Sequence, residues 1–575
     1  MDHQPPRRPS EDAGLPAAAR AAWEVMLVDA AVEGGQTGGD VAGVARLATS
    51  VATHPRALAR RAGTLLRELG TITAGRSERQ PAKGDRRFGD PAWQGNPIFR
   101  RLLQSYLAAG NALDGLIDDA DFDWAAERRA RFAASNVLDA LAPTNFPWSN
   151  PTVIKEAIDH GGQNFVRGVG RFARDVSKPP RLPATVDTTK FEVGENLAAT
   201  PGRVVLRTEV FELIQYQPST EQIREQPLLI VPPMINKYYA IDLAPGRSLV
   251  EHHVGAGQQV FLISWRNPDV EQGHYDLDTY AQATLEARDA VEAISRSQPV
   301  GVLAACSGGI VAVIALAHLA AQRQLAAKVS SLILLVCMLD VRRAGTTSAL
   351  VSREVAAAAV AESARRGYVD GQALAGVFAW LRPNDLIWSY VVNNYLLGRP
   401  LPAFDILYWN QDTVRMSAGL HRDFVHFALE NALTKPGTLE VLGTPIDLRL
   451  VDVPTYVIAG SNDHIVPWDT ALRSAALLGG EPRFVLSASG HIQAIVNPPG
   501  RAGAESRSSY RLSDGLPADP EQWRQAAPIH RGSWWTDHVD WLSVRSGELR
   551  AAPKRLGTAR YKATAKAPGT YVLAT

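Results

Sequence analysis

The chain has 575 residues, 46% of them hydrophobic, with a formal net charge of +1 and two cysteines. That length predicts two to four domains with sizeable cores, and the balanced charge argues against a nucleic-acid binder. Two cysteines exclude a disulfide scaffold and a cysteine-rich metal site.

The opening stretch, Met1-Asp-His-Gln-Pro-Pro-Arg-Arg, is polar, and no apolar core of a signal peptide follows it. No run approaches the ~20 apolar residues of a membrane span. The expectation is a soluble, cytoplasmic protein. Residues 1–15 are Pro-rich and polar, a composition that predicts disorder. From Pro16 to Gly70 the apolar residues fall at helical spacing. Further helices follow the turn-rich loop at Lys83–Trp93, Arg100-Arg-Leu-Leu-Gln-Ser-Tyr-Leu-Ala being the clearest. The loop Pro143-Thr-Asn-Phe-Pro-Trp-Ser-Asn-Pro is rigid, because its prolines cannot continue a helix. Residues 1–200 therefore read as a mostly helical N-terminal domain, and the chain has no internal repeat.

From 201 onward the texture changes. Arg203-Val-Val-Leu-Arg-Thr and Val210-Phe-Glu-Leu-Ile-Gln-Tyr predict a hairpin, and Pro227–Val231 a buried strand. Gln259–Trp265 is the next strand, Tyr280–Ser295 a helix, and Pro299–Ala304 another strand. Apolar strands alternating with helices predict a mostly parallel sheet covered on both faces. Beyond Asp340 the strand rhythm stops for about a hundred residues, replaced by a helical, aromatic-rich stretch. An insertion there, at about 341–440, is placed to cap the site. The sheet resumes at Pro454 and again at Pro482, within a catalytic domain spanning 201–575.

Chemistry concentrates at three strand ends. Ala304-Ala-Cys306-Ser-Gly308 lies between a strand and an apolar helix, the setting of a nucleophile elbow, with cysteine as the nucleophile. The same template fits one residue along, at Ala305-x-Ser307-x-Gly309, so spacing alone leaves Cys306 and Ser307 open. Asp463 follows the strand from Pro454, and His491 follows the strand from Pro482. The order nucleophile, acid, histidine is that of an α/β-hydrolase, and strand ends of such a sheet converge on one edge. His464 adjoins Asp463 and reads as structural, and Cys337, in a continuous apolar run, as an inert core residue. Lys237 and Arg266 are cations near strand ends, equally consistent with solvation or pairing.

These stretches carry a resemblance. Gly84-Asp-Arg-Arg-Phe, Glu192-Val-Gly-Glu-Asn-Leu-Ala, Val231-Pro-Pro-Met-Ile-Asn-Lys-Tyr-Tyr, Ile263-Ser-Trp-Arg-Asn-Pro and Ala305-Cys-Ser-Gly-Gly resemble the single-subunit polyhydroxyalkanoate synthases, especially the medium-chain, class II branch. So do Arg382-Pro-Asn-Asp-Leu-Ile-Trp, Asn393-Asn-Tyr-Leu-Leu-Gly, Asp463-His-Ile-Val-Pro-Trp, the Ser489–Gly500 stretch and Gly532-Ser-Trp-Trp. The resemblance implies an α/β-hydrolase fold with a helical cap, preceded by the helical domain. It implies an acyltransferase that polymerises 3-hydroxyacyl-coenzyme A thioesters into polyester, releasing coenzyme A through an acyl-Cys306 intermediate. It assigns Cys306 as nucleophile over Ser307, His491 as base and Asp463 as acidic partner.

Ala304 stands where the family has glycine. The backbone N–H of Ser307, with one from the Pro232–Asn236 loop, here assigned to Met234, is the expected oxyanion hole. The family further implies a homodimer and association with polyester granules. The balanced charge argues against a nucleic-acid partner, and with no metal-ligand cluster and no Gly-x-Gly-x-x-Gly after a strand no cofactor is expected, coenzyme A being carried by substrate and product. Two other activities fit a hydrolase elbow: a thioesterase or lipase releasing a soluble acid, and a catalytically silent granule-binding scaffold.

Overall fold

The computed structural model describes residues 55–575 apart from 121, 178–180, 343–352, 501–507 and 518. The expected disorder at 1–15 and the helical pattern over 16–54 lie outside the described residues. The helical region begins with α1 (Pro55–Thr73), α2 (Pro97–Asp118), α3 (Trp124–Ala140), α4 (Pro151–Asp159) and α5 (Gln163–Val176). Three starts follow from short polar side chains satisfying the first free N–H groups. Asn96 accepts from Ile98, Asp123 from Ala126, and Asn150 from Thr152 and Val153. Pro97 and Pro151 sit at the first helical turn, where a missing N–H costs nothing. The rigid loop at 143–151 thus ends by starting a helix.

Among the described residues the central sheet has ten strands. They are β1 (Gly202–Arg207), β2 (Phe211–Tyr216), β3 (Leu228–Val231), β4 (Val260–Trp265), β5 (Val300–Ala305), β6 (Val329–Leu335), β7 (Thr455–Gly460), β8 (Arg483–Ser487), β9 (Ser509–Asp514) and β10 (Ile529–Arg531). Their spatial order is β1-β2-β4-β3-β5-β6-β7-β8-β9-β10. The run from β4 to β8 is parallel, and the pairs at both edges are antiparallel. The 203–216 hairpin is present as β1 and β2. This is the α/β-hydrolase sheet, as expected.

Every residue of β3, β5 and β7 is buried. Val302 and Ala304 pack on one face of the sheet and Leu303 and Ala305 on the other, so each side chain of β5 faces a core. Helices α6 (Leu277–Ser295) and α7 (Ser307–Ala321) cover the first of these faces.

After β6 come α8 (Arg353–Arg366), α9 (Gly371–Trp380), two π-helical stretches (Asn384–Trp388 and Val391–Leu396), α10 (Asp405–Gln411) and α11 (Ala418–Glu430). This cap is tied to the N-terminal helices. Arg87 bonds Asp85 in its own turn, Asp139 of α3 at 3.1 Å and Asn384 of the cap at 3.1 Å. Asn164 Nδ2 of α5 donates to the Leu396 carbonyl at 2.7 Å, and Tyr395 OH donates to Asp175 at 2.7 Å. One face of α5 is therefore spent on the cap. Away from it Val166, Val169 and Val176 are exposed, while Phe172 lies edge-on to the Tyr395 ring of the cap.

Candidate active site

Strand β5 runs straight into Cys306, and α7 starts one residue later. Cys306 holds φ 49° and ψ −121°, a conformation that a residue with a Cβ adopts only when its surroundings impose it. Its N–H donates to the Leu335 carbonyl at 2.9 Å, anchoring the turn to β6. Gly308 lets the helix start press against the end of β3. A Cβ there would stand 2.6 Å from the Val231 carbonyl oxygen and closer still to that of Pro232. Ala304, by contrast, is fully buried in register with Val231 and Leu334, its methyl part of the core.

Gly308→Ala is expected to cost about 1–3 kcal/mol through overpacking and to remove most activity, because the neighbours it displaces hold the turn. Chemical denaturation alongside a coenzyme A release assay checks this. Wild-type stability and rate together would show that the β3 end yields.

Asp463 and His491 lie on adjacent loops. Gly460, closing β7, allows this approach, since a Cβ there would meet the Ser489 carbonyl oxygen at 2.7 Å. Asn462 N–H donates to that same carbonyl at 3.0 Å. Asp463 Oδ1 accepts from the N–H groups of Ile465 (2.8 Å) and Val466 (2.9 Å). Its Oδ2 is left to His491 Nδ1, at 2.6 Å and buried. His491 in turn reaches the Cys306 thiol. Burial alone would push the imidazole down, but the Asp463 carboxylate and the Cys306 sulfur together raise it to about 10. The structure thus brings Cys306, His491 and Asp463 into one line, with His491 favoured as imidazolium beside the sulfur.

Ser307 is the first residue of α7, with its side chain buried. The Met234 N–H donates to the Ser307 side-chain Oγ at 3.1 Å, which brings the loop after β3 against the start of α7. Pro232 and Pro233 have no N–H, which makes Met234 the first donor after β3. His464 lies beside this site without joining the line. Burial, then the Arg382 cation, push it down to about 4. Burial likewise raises the Cys337 thiol, whose sulfur packs under Gly309. Lys237 is paired with Asp412, and Arg266 lies over the Tyr571 ring.

Two residues that shape the site escape a reading of the sequence: Gly460 and Asp412. Gly460 closes a strand three residues before the acid, and a glycine there is the available signal. Asp412 sits in the aromatic stretch Tyr408-Trp-Asn-Gln-Asp, and nothing local marks its partner.

Residues 84–253 match the family model described as the poly-beta-hydroxybutyrate polymerase (PhaC) N-terminus, and residues 239–498 that of the alpha/beta hydrolase fold. The chain is 45% identical over 505 residues to poly(3-hydroxyalkanoate) polymerase 1 of Ectopseudomonas oleovorans, covering 88% of this chain and 89% of that one. It is 45% identical over 520 residues to polymerase 2 of the same organism, covering 90% and 92%. To the poly(3-hydroxyalkanoate) polymerase subunit PhaC of Cupriavidus necator it is 41% identical over 511 residues, covering 88% and 85%.

Proposed function

The chain belongs to the poly(3-hydroxyalkanoate) polymerase family, on its class II-like side, and from that membership we propose that its acyltransferase chemistry runs through Cys306, His491 and Asp463. The observation that carries this is the buried 2.6 Å bond from Asp463 to a histidine that also reaches the sulfur at the strained turn.

The Cys306 thiolate attacks the carbonyl carbon of a 3-hydroxyacyl-coenzyme A. The carbonyl oxygen takes the negative charge, facing the N–H groups of Ser307 and Met234. The C–S bond to coenzyme A then breaks, and His491 gives its proton to the departing thiolate. The acyl group has moved from thiol to thiol, a nearly isoenergetic exchange. A 3-hydroxyl next gives its proton to His491 and attacks the acyl-Cys306 carbonyl; the C–S bond to Cys306 breaks, returning its thiolate, and an oxoester forms, which is downhill. A serine would place the drop at loading and leave elongation flat, so cysteine suits repeated transfer. Asp463 holds the Nδ1 side of the imidazole and supports its positive form.

The test is incubation with 3-hydroxyacyl-coenzyme A of varied chain length, following thiol release and polymer together. Polymer in step with thiol supports the reading, and soluble 3-hydroxy acid in its place would make the protein a thioesterase. Cofactor independence, with coenzyme A the only such group involved, belongs to the same proposal. Undiminished turnover after dialysis against a chelator is the expected result. A homodimer is likewise proposed from family membership, and sedimentation checks it.

Among the described residues no helix is long and apolar enough to cross a membrane. Granule association is proposed to follow from the tethered product itself. The exposed face of α5, with Val166 at 76% and Val169 at 66% exposure, supports this, as does Trp148 nearby in sequence. The double variant Val166→Asp/Val169→Asp should release coenzyme A normally yet move from the granule pellet toward the soluble fraction. Unchanged pelleting would clear this face of the role.

A further inference from the structure

One buried charge stands beside the oxyanion loop without a part in the steps above. The Lys237 side chain is 4% exposed, and lysine is almost never buried unless paired. Its Nζ lies 2.7 Å from Asp412 Oδ1 in the cap. Asp412 Oδ2 accepts the Tyr239 hydroxyl at 2.7 Å. Trp409 Nε1 donates to the Lys237 carbonyl at 2.7 Å, and Asn236 pairs with Thr413 as an isolated antiparallel bridge. From Asn236 to Tyr239 the loop is thus stapled to the cap segment Trp409–Thr413.

The other end of the loop is fixed as well. The Pro232 carbonyl accepts Trp265 Nε1 at 2.9 Å, and Met234 N–H points at Ser307 Oγ. Met234 therefore sits between two anchors, one on the sheet and one on the cap. Stability alone gives weak reason for an ion pair here, because two apolar side chains of similar volume do as well or better in such a position. What the pair supplies is a fixed geometry for the backbone next to it.

We propose that Lys237 is a positioning residue for catalysis: with Asp412 it holds the Met234 N–H at the elbow. The cap segment Trp409–Thr413 is then a working part of the oxyanion hole as well as a cover. This rests on the acyl-Cys306 reading above.

The test compares Lys237→Met, Asp412→Asn and the double variant with wild type, in two assays on the full chain. The first is coenzyme A release from a 3-hydroxyacyl-coenzyme A, resolved into kcat and KM. The second is alkylation of Cys306 by iodoacetamide, which needs the thiolate and His491 but builds no oxyanion. Losing one oxyanion donor outright costs roughly 10²–10³ in kcat, so a misplaced one is expected to cost roughly 10–100-fold, with KM held within about threefold. Alkylation should keep its wild-type rate, and the double variant should be no slower than the worse single, because the pair acts as one unit.

Unchanged kcat in both single variants overturns the proposal, as does alkylation slowed in parallel with kcat, which marks a general structural role. Asp412→Asn keeps shape and one acceptor while removing the charge and the second acceptor, so it provides the answer even where Lys237→Met fails to fold. Failure of the underlying reading shows separately: wild-type enzyme alkylated at Cys306 would still release coenzyme A at full rate, and both conclusions would fall.

Discussion

Cys306→Ala is expected to form no polymer and to release coenzyme A at no more than background, a loss on the order of 10⁴–10⁶-fold if the nucleophile is removed from a unit that acts together. Ser307→Ala is expected to stay within roughly tenfold of wild type, since it removes one hydroxyl outside the reacting line. The contrast follows from position. Cys306 is the residue at the strained turn that His491 reaches, whereas Ser307 begins α7 with its hydroxyl accepting the Met234 N–H. The alanine variant leaves that N–H free to face the substrate oxygen directly. Polymer yield, acyl-enzyme mass and thiol release measured on both variants decide the matter. An active Cys306→Ala with an inactive Ser307→Ala would make serine the nucleophile.

Asp463→Asn should fold normally and load its first acyl group, yet elongate roughly 10²–10⁴-fold more slowly, the scale on which a misdirected imidazole costs a triad. The amide can still accept from Ile465 and Val466 through its oxygen, which keeps the loop. Its other end then offers an N–H to His491 Nδ1, where the wild type offers an acceptor, and so favours the wrong tautomer.

The carboxylate also helps to raise His491 to about 10, and without it the imidazole falls back toward the ordinary 6.5. A folded value above the unfolded one means that protonated His491 stabilises the fold. That contribution is complete below 6.5 and is lost as pH rises through about 10. Denaturation midpoints across this window should fall with rising pH in wild type, and the fall should shrink in Asp463→Asn. Wild-type elongation with an unaltered pH profile would take Asp463 out of the mechanism.

The residues that can be found by reading alone are those with a local signature. Cys306 sits among small residues between a buried strand and an apolar helix, and Asp463 and His491 each follow an apolar strand ended by a polar loop. Parallel strands buried on both faces announce themselves as continuous apolar runs. The antiparallel strands after β8 do not. β9 reads Ser509-Tyr-Arg-Leu-Ser-Asp, half exposed and polar, and its place in the sheet depends on pairing with β8 and β10.

The contacts that set the oxyanion loop are harder still. Tyr239 and Asp412 are 173 positions apart, so no window of sequence holds both partners. The register between Cys306 and Ser307 stays open to spacing for a related reason, because two overlapping templates differ only in which residue bears the backbone strain. Spacing does not encode that.

The bonds between α5 and the cap bear on how this chain can be engineered. Composition places a seam near residue 200, an inviting position to cut or to fuse a partner. Yet the Leu396 carbonyl takes its hydrogen bond from Asn164, and Arg87 joins α3 to Asn384 across that seam. A fragment starting at the first strand would leave cap backbone groups without the partners they now have, and a buried polar group left unpaired is costly. Tags and fusions therefore belong ahead of α1, and the shortest useful catalytic piece keeps the helices that look, in the linear chain, like a separate module.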